Sequence, residues 1–345
     1  MNPEEYANPE DYAVVIGIDR YAGLPHLKAA SRDAARFTEW LLRPDGGGLP
    51  EKNVHFIPSI LVPGDPFQSK PVLQDIEAAL WRIGLLQYRR VGRRLYFYFA
   101  GHGVGPAFNE VAMLLATAGL GGLANVGLTH VQDFFHRAAV FDEIVYILDC
   151  CREERVAVCT GLTFNPVPRA GIPPTNDFVL LASVYRGMAY EPFDETNAAR
   201  RGLMTEALLE GLNGAAGAID TQGRITSDTV SAYVQRRVRE LATQAEVDQQ
   251  ADPPKPASPP IVFRAAQGSF GEFLMRVTRG EMAQAYLLVV LSDGQEVGSS
   301  PPGVEIFEQR FPLNGAYQIV VEGGGLVAAV APAMVKDGVV NVVFP

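Results

Sequence analysis

The stretch Ile144-Val145-Tyr146-Ile147-Leu148-Asp149-Cys150-Cys151-Arg152 decides the fold. An apolar run of strand-forming residues gives way in one step to an acid and two thiols. Such a run predicts a buried strand, with reactive side chains placed at its carboxyl end. A second run behaves the same way upstream, where Leu95–Ala100 leads straight into Gly101-His102-Gly103. Two strand ends thus deliver an imidazole and a thiol, about fifty residues apart along the chain.

Working outward, Tyr12–Ile18 predicts a first buried strand, and Ser31 is the expected N-cap of a helix running to Leu42. Asn53–Ile57 predicts a second strand, and Pro71 is expected to open a helix reaching Tyr88. Strand alternating with helix calls for a mainly parallel sheet covered on both faces, an α/β/α sandwich. Reactive groups collect beyond the carboxyl ends of such strands, so the separation of His102 from Cys151 in sequence does not keep them apart in space. Further on, Val111–Thr117 predicts a short strand, Thr129–Ala138 a helix, and Phe178–Ser183 the resumption of the sheet. Helices are expected over Gly202–Leu212 and Ser227–Thr243. Two long polar connections, Arg152–Asn176 with four prolines and Glu191–Arg201, lie between these elements.

At 345 residues the chain exceeds the usual size of one core, so two domains are expected. Residues 1–247 form the first and 248–260, dense in proline, a stiffened linker. In 261–345 short apolar runs alternate with turn residues (Ser292-Asp293-Gly294, Gly323-Gly324-Gly325, Asp337-Gly338), which predicts a small all-β sandwich. No catalytic cluster stands out there, and a docking or regulatory role toward a protein activator is the expectation.

The net charge of −10 disfavours a nucleic-acid partner, whose phosphates it would repel. Three cysteines, two of them adjacent, fit a reducing compartment with a free thiol. Met1–Asp11 is polar and acidic, unlike a signal peptide, and no apolar run approaches the roughly 20 residues of a membrane span. A cytoplasmic protein without a membrane partner is expected. His26, His55, His130 and His136 lack metal-ligand spacing, so no metal is assigned. No phosphate-binding loop of the G-x-x-x-x-G-K type occurs.

A thiolate attacking a peptide carbonyl needs a proton acceptor, donors for the oxyanion and a pocket for the neighbouring side chain. His102 supplies the first. The backbone N–H groups of Gly103 and Cys151 are candidates for the second, each worth about 3 kcal/mol. A free cysteine alone would read as a small buried hydrophobe. Asp149 beside it is harder to dismiss, because a nearby anion raises a thiol's pKa unless the anion serves a purpose.

Tyr12–Ile18, Ser31-Arg32-Asp33-Ala34, Ala100-Gly101-His102-Gly103 and Asp149-Cys150-Cys151 together resemble the caspase–metacaspase superfamily of cysteine peptidases, over residues 10 to 245. The resemblance implies a caspase-like fold, a His102/Cys151 dyad and no cofactor; some metacaspases use calcium, for which the sequence offers no ligand cluster. It identifies Cys151, not Cys150, as the nucleophile, although a cysteine stands where the family has serine. Strand alternation agrees, putting Asp149 and Cys151 on one face and Cys150 on the other. It also identifies Asp33 and Asp149 as the acids of the substrate pocket. Two carboxylates attract lysine or, by bidentate pairing, arginine, so cleavage of proteins or peptides after a basic residue is expected. The family's further acid after Ala182-Ser183 is replaced by Val184-Tyr185-Arg186, which leaves Glu191 as a stand-in. Arg155, Arg169, Arg200 and Arg201 in the long connections are candidate self-cleavage points. The rival readings are a catalytically silent scaffold of the same fold, which the presence of both His102 and Cys151 disfavours, and a cysteine hydrolase of small amides.

Overall fold

Alternate residues of the buried strands face two different helix layers, and that parity positions the site. The chain is described by a computed structural model over residues 8–85, 89–166, 174–194, 199–215, 217–220, 222–253, 257–264, 272–291, 296–312, 317–321, 326–330 and 339–344. It divides into two compact units, the first running to Asn213 and resuming over Val230–Ile261, the second made of Gly214–Thr229 and the chain from Val262 onward.

In the first unit, β1 (Asp11–Gly17), α1 (Ala30–Leu42), β2 (Val54–Pro58), α2 (Leu73–Ile83) and β3 (Gly92–Ala100) follow in order. Next come β4 (Gly103–Gly105), β5 (Ala112–Leu114), β6 (Asn125–Gly127), α3 (Leu128–Ala138), β7 (Phe141–Asp149), β8 (Glu153–Glu154) and β9 (Asn176–Leu181). A small antiparallel pair, β10 (Phe193–Asp194) with β11 (Ala199–Arg200), precedes α4 (Leu203–Leu212). The main sheet is wholly parallel in the order β2-β1-β3-β7-β9. Val14, Ile16, Phe97, Phe99, Tyr146 and Leu148 point into one core with residues of α2 and α3. The alternate residues point the other way, where Tyr98 stacks on Phe37 of α1 at 4.7 Å between ring centroids and bonds to Thr205 of α4 at 2.7 Å. Close approach here requires glycine: a Cβ on Gly17 would lie 2.7 Å from the Ala34 Cβ.

Several expectations shift. Ser31 does not cap α1; the N-cap is Ala29, with no side-chain cap, because the Ser31 hydroxyl donates to the Gly17 carbonyl and its N–H to Asp19. Pro71 stands before α2 instead of opening it, and the Asp75 carboxylate closes the turn by accepting the Val72 N–H. That helix stops at Ile83, short of Tyr88, because Gly84 takes the left-handed conformation and caps it. The loop residues Pro168, Arg169 and Pro173, the linker prolines Pro254 and Pro256, and the predicted turns of the last domain lie outside the described residues.

In the second unit β12 (Ile225–Thr226) pairs with β13 (Val262–Arg264); the helix that follows β12, α5 (Ser227–Gln244), belongs to the first unit from Val230 onward. Then follow β14 (Glu272–Thr278), β15 (Leu287–Leu291), β16 (Glu296–Ser300), β17 (Ile306–Pro312), β18 (Tyr317–Val321), β19 (Leu326–Val330) and β20 (Val339–Val343). They form two sheets, β17-β14-β20 and β16-β15-β18-β19, around a shared core that includes Val277, Val289, Phe307 and Ile319. Antiparallel pairing dominates, but β14 and β20 run parallel.

Candidate active site

Strand parity delivers each group at the end of β7 to a different place. Asp149 follows Ile147 toward α1 and α4, and its Oδ2 accepts the N–H of Thr205 at 3.0 Å and its hydroxyl at 2.6 Å. Cys150 turns the other way into the core with α2 and α3 and is 2 % exposed. Cys151 lies just past the strand and is half-buried. Its Sγ accepts the N–H of Ala189 at 3.2 Å. Burial raises the thiol's pKa, the Ala189 N–H opposes that rise, and the carboxylates of Glu153, Asp149 and Glu191 add to it. A resting thiol in such surroundings keeps its proton and needs a base.

His102 and Cys151 line one cavity of about 350 Å³. The imidazole is fixed from three sides. Its Nε2 lies 2.9 Å from the carbonyl oxygen of Pro25, its backbone N–H donates to the Tyr21 hydroxyl at 2.7 Å, and its ring packs on Tyr21. A carbonyl only accepts, so Nε2 carries the proton and Nδ1 is left as the basic nitrogen. Gly103 approaches the cysteine loop so closely that a Cβ would sit 2.5 Å from Cys150 Sγ and 2.7 Å from the Cys151 carbonyl oxygen. That approach is possible because β4 pairs in parallel with β8, in register Val104 to Glu153.

Asp33 and Asp149 line the same cavity, one from α1 and one from β7. Both flank Gly202, the N-cap of α4; a Cβ there would lie 2.5 Å from Asp149 Oδ2 and 3.0 Å from Asp33 Oδ2. The Gly202 N–H donates to Asp33 at 2.6 Å, so the start of α4 supplies donors to both acids. Partial positive charge at a helix start favours anions there. Burial still dominates: it holds the Asp149 carboxyl at about 6 and pushes Asp33 well above the usual carboxylate range, with the Asp149 charge adding to the latter. Arg36 faces Asp33 at 3.4 Å and Glu206 at 2.7 Å. Asp149 Oδ1 has no hydrogen-bond partner among the described residues, in a residue that faces the cavity.

Glu191 joins this wall as well, its carboxylate accepting the N–H groups of Lys28 at 2.9 Å and Ala29 at 3.2 Å. Other contributors escaped the sequence reading. Pro25, Ala189, Gly202 and Thr205 act through backbone groups or a short hydroxyl, which leave no signature of residue type. Among the arginines, Arg155 lines the cavity, Arg201 is held by Glu206 at 2.9 Å, and Arg200 donates to the Glu191 carbonyl at 2.8 Å. No helix among the described residues is long and apolar enough to cross a membrane.

A profile of the caspase domain of peptidase family C14 matches residues 10–257. A probable protease from a Desulfuromonadales bacterium is 29% identical over an alignment of 227 residues, with 59% of this chain and 26% of that protein covered. The chain therefore spans about a quarter of the length of the curated relative it matches. Among solved structures, the crystal structure of caspase-1 from Spodoptera frugiperda is similar at 12% identity and a TM-score of 0.44, over 72% of this chain and 86% of that one.

Proposed function

The chain belongs to the caspase-domain family of cysteine peptidases, and from that premise we propose that it is an endopeptidase cutting proteins after a basic residue, arginine ahead of lysine. The observation that carries this reading is the presence of Asp33 and Asp149 in the cavity shared by His102 and Cys151. A guanidinium entering there meets two carboxylates whose ionisation its own charge favours, and it pairs with them bidentately where an ammonium pairs as a point charge. Aspartate in the same place would meet like charge.

The reaction needs no cofactor. Nδ1 of His102 takes the proton of Cys151, and the sulfur attacks the scissile carbonyl carbon. The carbonyl electron pair moves onto oxygen, which the N–H groups of Gly103 and Cys151 hold. The imidazolium returns the proton to the amide nitrogen, the C–N bond breaks, and a thioester remains. Water then loses a proton to Nδ1 of His102 and attacks the thioester carbonyl; the C–S bond breaks, and the sulfur takes that proton back from the imidazolium, which restores the thiol and releases the carboxylic acid. Self-cleavage in the connection carrying Arg155, and control by a protein activator acting through the C-terminal domain, belong to the same proposal.

Fluorogenic peptides ending in Arg, Lys or Asp test it, with wild type beside Cys151→Ala. The expected result is hydrolysis after Arg, less after Lys, none after Asp, and none with the variant. Activity surviving in Cys151→Ala, or a preference for Asp, would overturn the reading; no hydrolysis of any peptide favours the silent scaffold. Intact mass measured under active conditions tests self-cleavage, since an uncut wild-type chain contradicts it.

A further inference from the structure

β3 ends at Ala100 and β4 begins at Gly103, so His102 sits in the bend between two strands. An amide in such a bend needs a partner outside the ladder. Here the partner is a side chain from the connection between β1 and α1: the Tyr21 hydroxyl accepts the His102 N–H at 2.7 Å. A backbone N–H only donates, so the hydroxyl keeps its own proton for a second bond. That proton goes to the Leu114 carbonyl at 3.3 Å, and the Leu114 N–H donates to the His102 carbonyl at 3.0 Å. The three bonds close a ring that fixes both backbone polar groups of His102.

Tyr21 stands behind the cavity wall. It is 1 % exposed, whereas His102 and Leu114 line the cavity. Burial pushes the phenol's pKa well above its ordinary value, so it stays a donor toward Leu114. The same short connection also grips the imidazole. The Tyr21 ring packs on it at 4.7 Å between centroids, and the Pro25 carbonyl accepts from Nε2 at 2.9 Å. Residues 21–25 thus set the backbone of His102, the face of its ring and the site of its proton. Phenylalanine at position 21 keeps the ring and the volume but deletes the hydroxyl that both backbone groups use. Space for that hydroxyl is exact: a Cβ on Gly101 would lie 2.5 Å from it.

We propose that Tyr21 is a positioning residue of the peptidase reaction, whose hydroxyl holds the His102 backbone so that the imidazole stays in reach of the Cys151 thiol. The proposal rests on the reading of His102 as the base given above. Tyr21 touches neither the thiol nor the substrate cavity, so it acts through His102 alone. The thiol is buried enough to keep its proton at rest, which makes the rate depend on where the imidazole stands. Asp33 and Asp149 are held by the start of α4 and do not depend on Tyr21. Loss of the hydroxyl therefore slows the chemistry and leaves the capture of a basic side chain unchanged.

The test is a double-mutant cycle in the full chain: wild type, Tyr21→Phe, His102→Ala and the two combined. Two rates are measured, each referred to folded protein by circular dichroism. One is turnover of a fluorogenic Arg peptide; the other is alkylation of Cys151 by iodoacetamide, read by peptide mass spectrometry, which works where turnover is lost. Tyr21→Phe should lower kcat by about tenfold or more, hold KM within about twofold, and slow alkylation as well. On top of His102→Ala it should change alkylation by less than about twofold, because a residue acting through another has nothing left to act on. Gly101→Ala crowds the hydroxyl without deleting it and should likewise lower kcat at unchanged KM, which carries the test if Tyr21→Phe does not fold. Wild-type kcat in Tyr21→Phe, or in Gly101→Ala where that variant carries the test, would overturn the proposal and leave the dyad standing. So would an equal slowing of alkylation by Tyr21→Phe with and without His102. Wild-type rates in His102→Ala would instead remove the dyad, and this proposal with it.

Discussion

Asp149 is 8 % exposed, and burial holds its carboxyl at about 6, against an ordinary value of 3.8. A group whose pKa is raised by folding binds its proton more tightly in the folded state. Its contribution to stability is complete below the unfolded pKa and is lost as pH rises through the folded one. At about 1.4 kcal/mol per pH unit, this carboxylate costs the free protein about 3 kcal/mol at pH 8 relative to pH 4. Asp149→Asn removes that loss. Urea titrations should find the variant more stable than wild type at pH 8 and nearly equal at pH 4, with kcat/KM for Arg peptides down about 100-fold, the equivalent of about 3 kcal/mol. Parallel stability profiles from pH 4 to pH 8 would contradict the buried-acid account. Gly103 gives a second prediction at this scale. A Cβ would meet Cys150 Sγ at 2.5 Å and the Cys151 carbonyl at 2.7 Å, so Gly103→Ala must push the two strand ends apart. Displacement of about 1 Å at reacting groups can cost about 100-fold in rate. The variant should keep its circular-dichroism spectrum and lose at least that much activity.

Helix α4 begins at both acids: Gly202 donates to Asp33, and Thr205 ties the helix to Asp149 and to Tyr98 of the sheet. The Thr205 hydroxyl donates to Asp149 at 2.6 Å and meets the hydroxyl of buried Tyr98 at 2.7 Å. A hydrogen bond to a charged group is worth about 1.5–3 kcal/mol, so its removal raises the carboxyl by about one pH unit or more. Thr205→Val should therefore move the acid limb of kcat/KM for Arg peptides toward higher pH, and Thr205→Ser should move it back. An unshifted limb in the valine variant would separate Thr205 from the pocket's ionisation. The strands and the two residues at their ends were legible in the sequence, because a buried parallel strand writes a continuous apolar run and its end is where that run stops. Asp33 was legible only through family resemblance, since an acid in the first turn of a helix has an ordinary explanation. Gly202 and Thr205 were not legible. They act through amide protons that every residue possesses, and their nearness to Asp149 follows from packing between layers, not from spacing along the chain.

The boundary of the first unit presents the same problem on the largest scale. Residues 248–260 read as linker because proline dominates them, yet Gln249, Gln250 and Asp252 are tied to β9 and the loop after it, which walls the cavity of His102 and Cys151. Gln249 accepts the Tyr190 N–H at 2.8 Å and donates to the Ala182 carbonyl at 3.1 Å. Gln250 accepts the Val184 N–H at 3.0 Å, and the Asp252 N–H donates to the Leu181 carbonyl at 3.2 Å. Farther on, Ser258 and Pro259 bond to the side chain of Asn176 at the other end of β9. Since β9 is the last strand of the sheet, this segment follows its open edge, and prolines suit an edge because they offer no N–H for further pairing. The strongest tie is Asp252 to Arg152, at 2.6 Å. Arg152 follows Cys151 directly, is 2 % exposed, and also donates to the carbonyls of Ser183 and Phe108. Removing the acid leaves a buried guanidinium without its countercharge, which costs about 3 kcal/mol or more. Asp252→Ala should lower the melting temperature by several degrees and depress kcat/KM for Arg peptides, although residue 252 lies about 100 positions beyond the cysteine. Arg152→Met with Asp252→Leu should recover stability, since an apolar pair of similar size needs no countercharge. If Asp252→Ala melts and turns over like wild type, these residues are linker after all, and the walls of the pocket are held by the sheet alone.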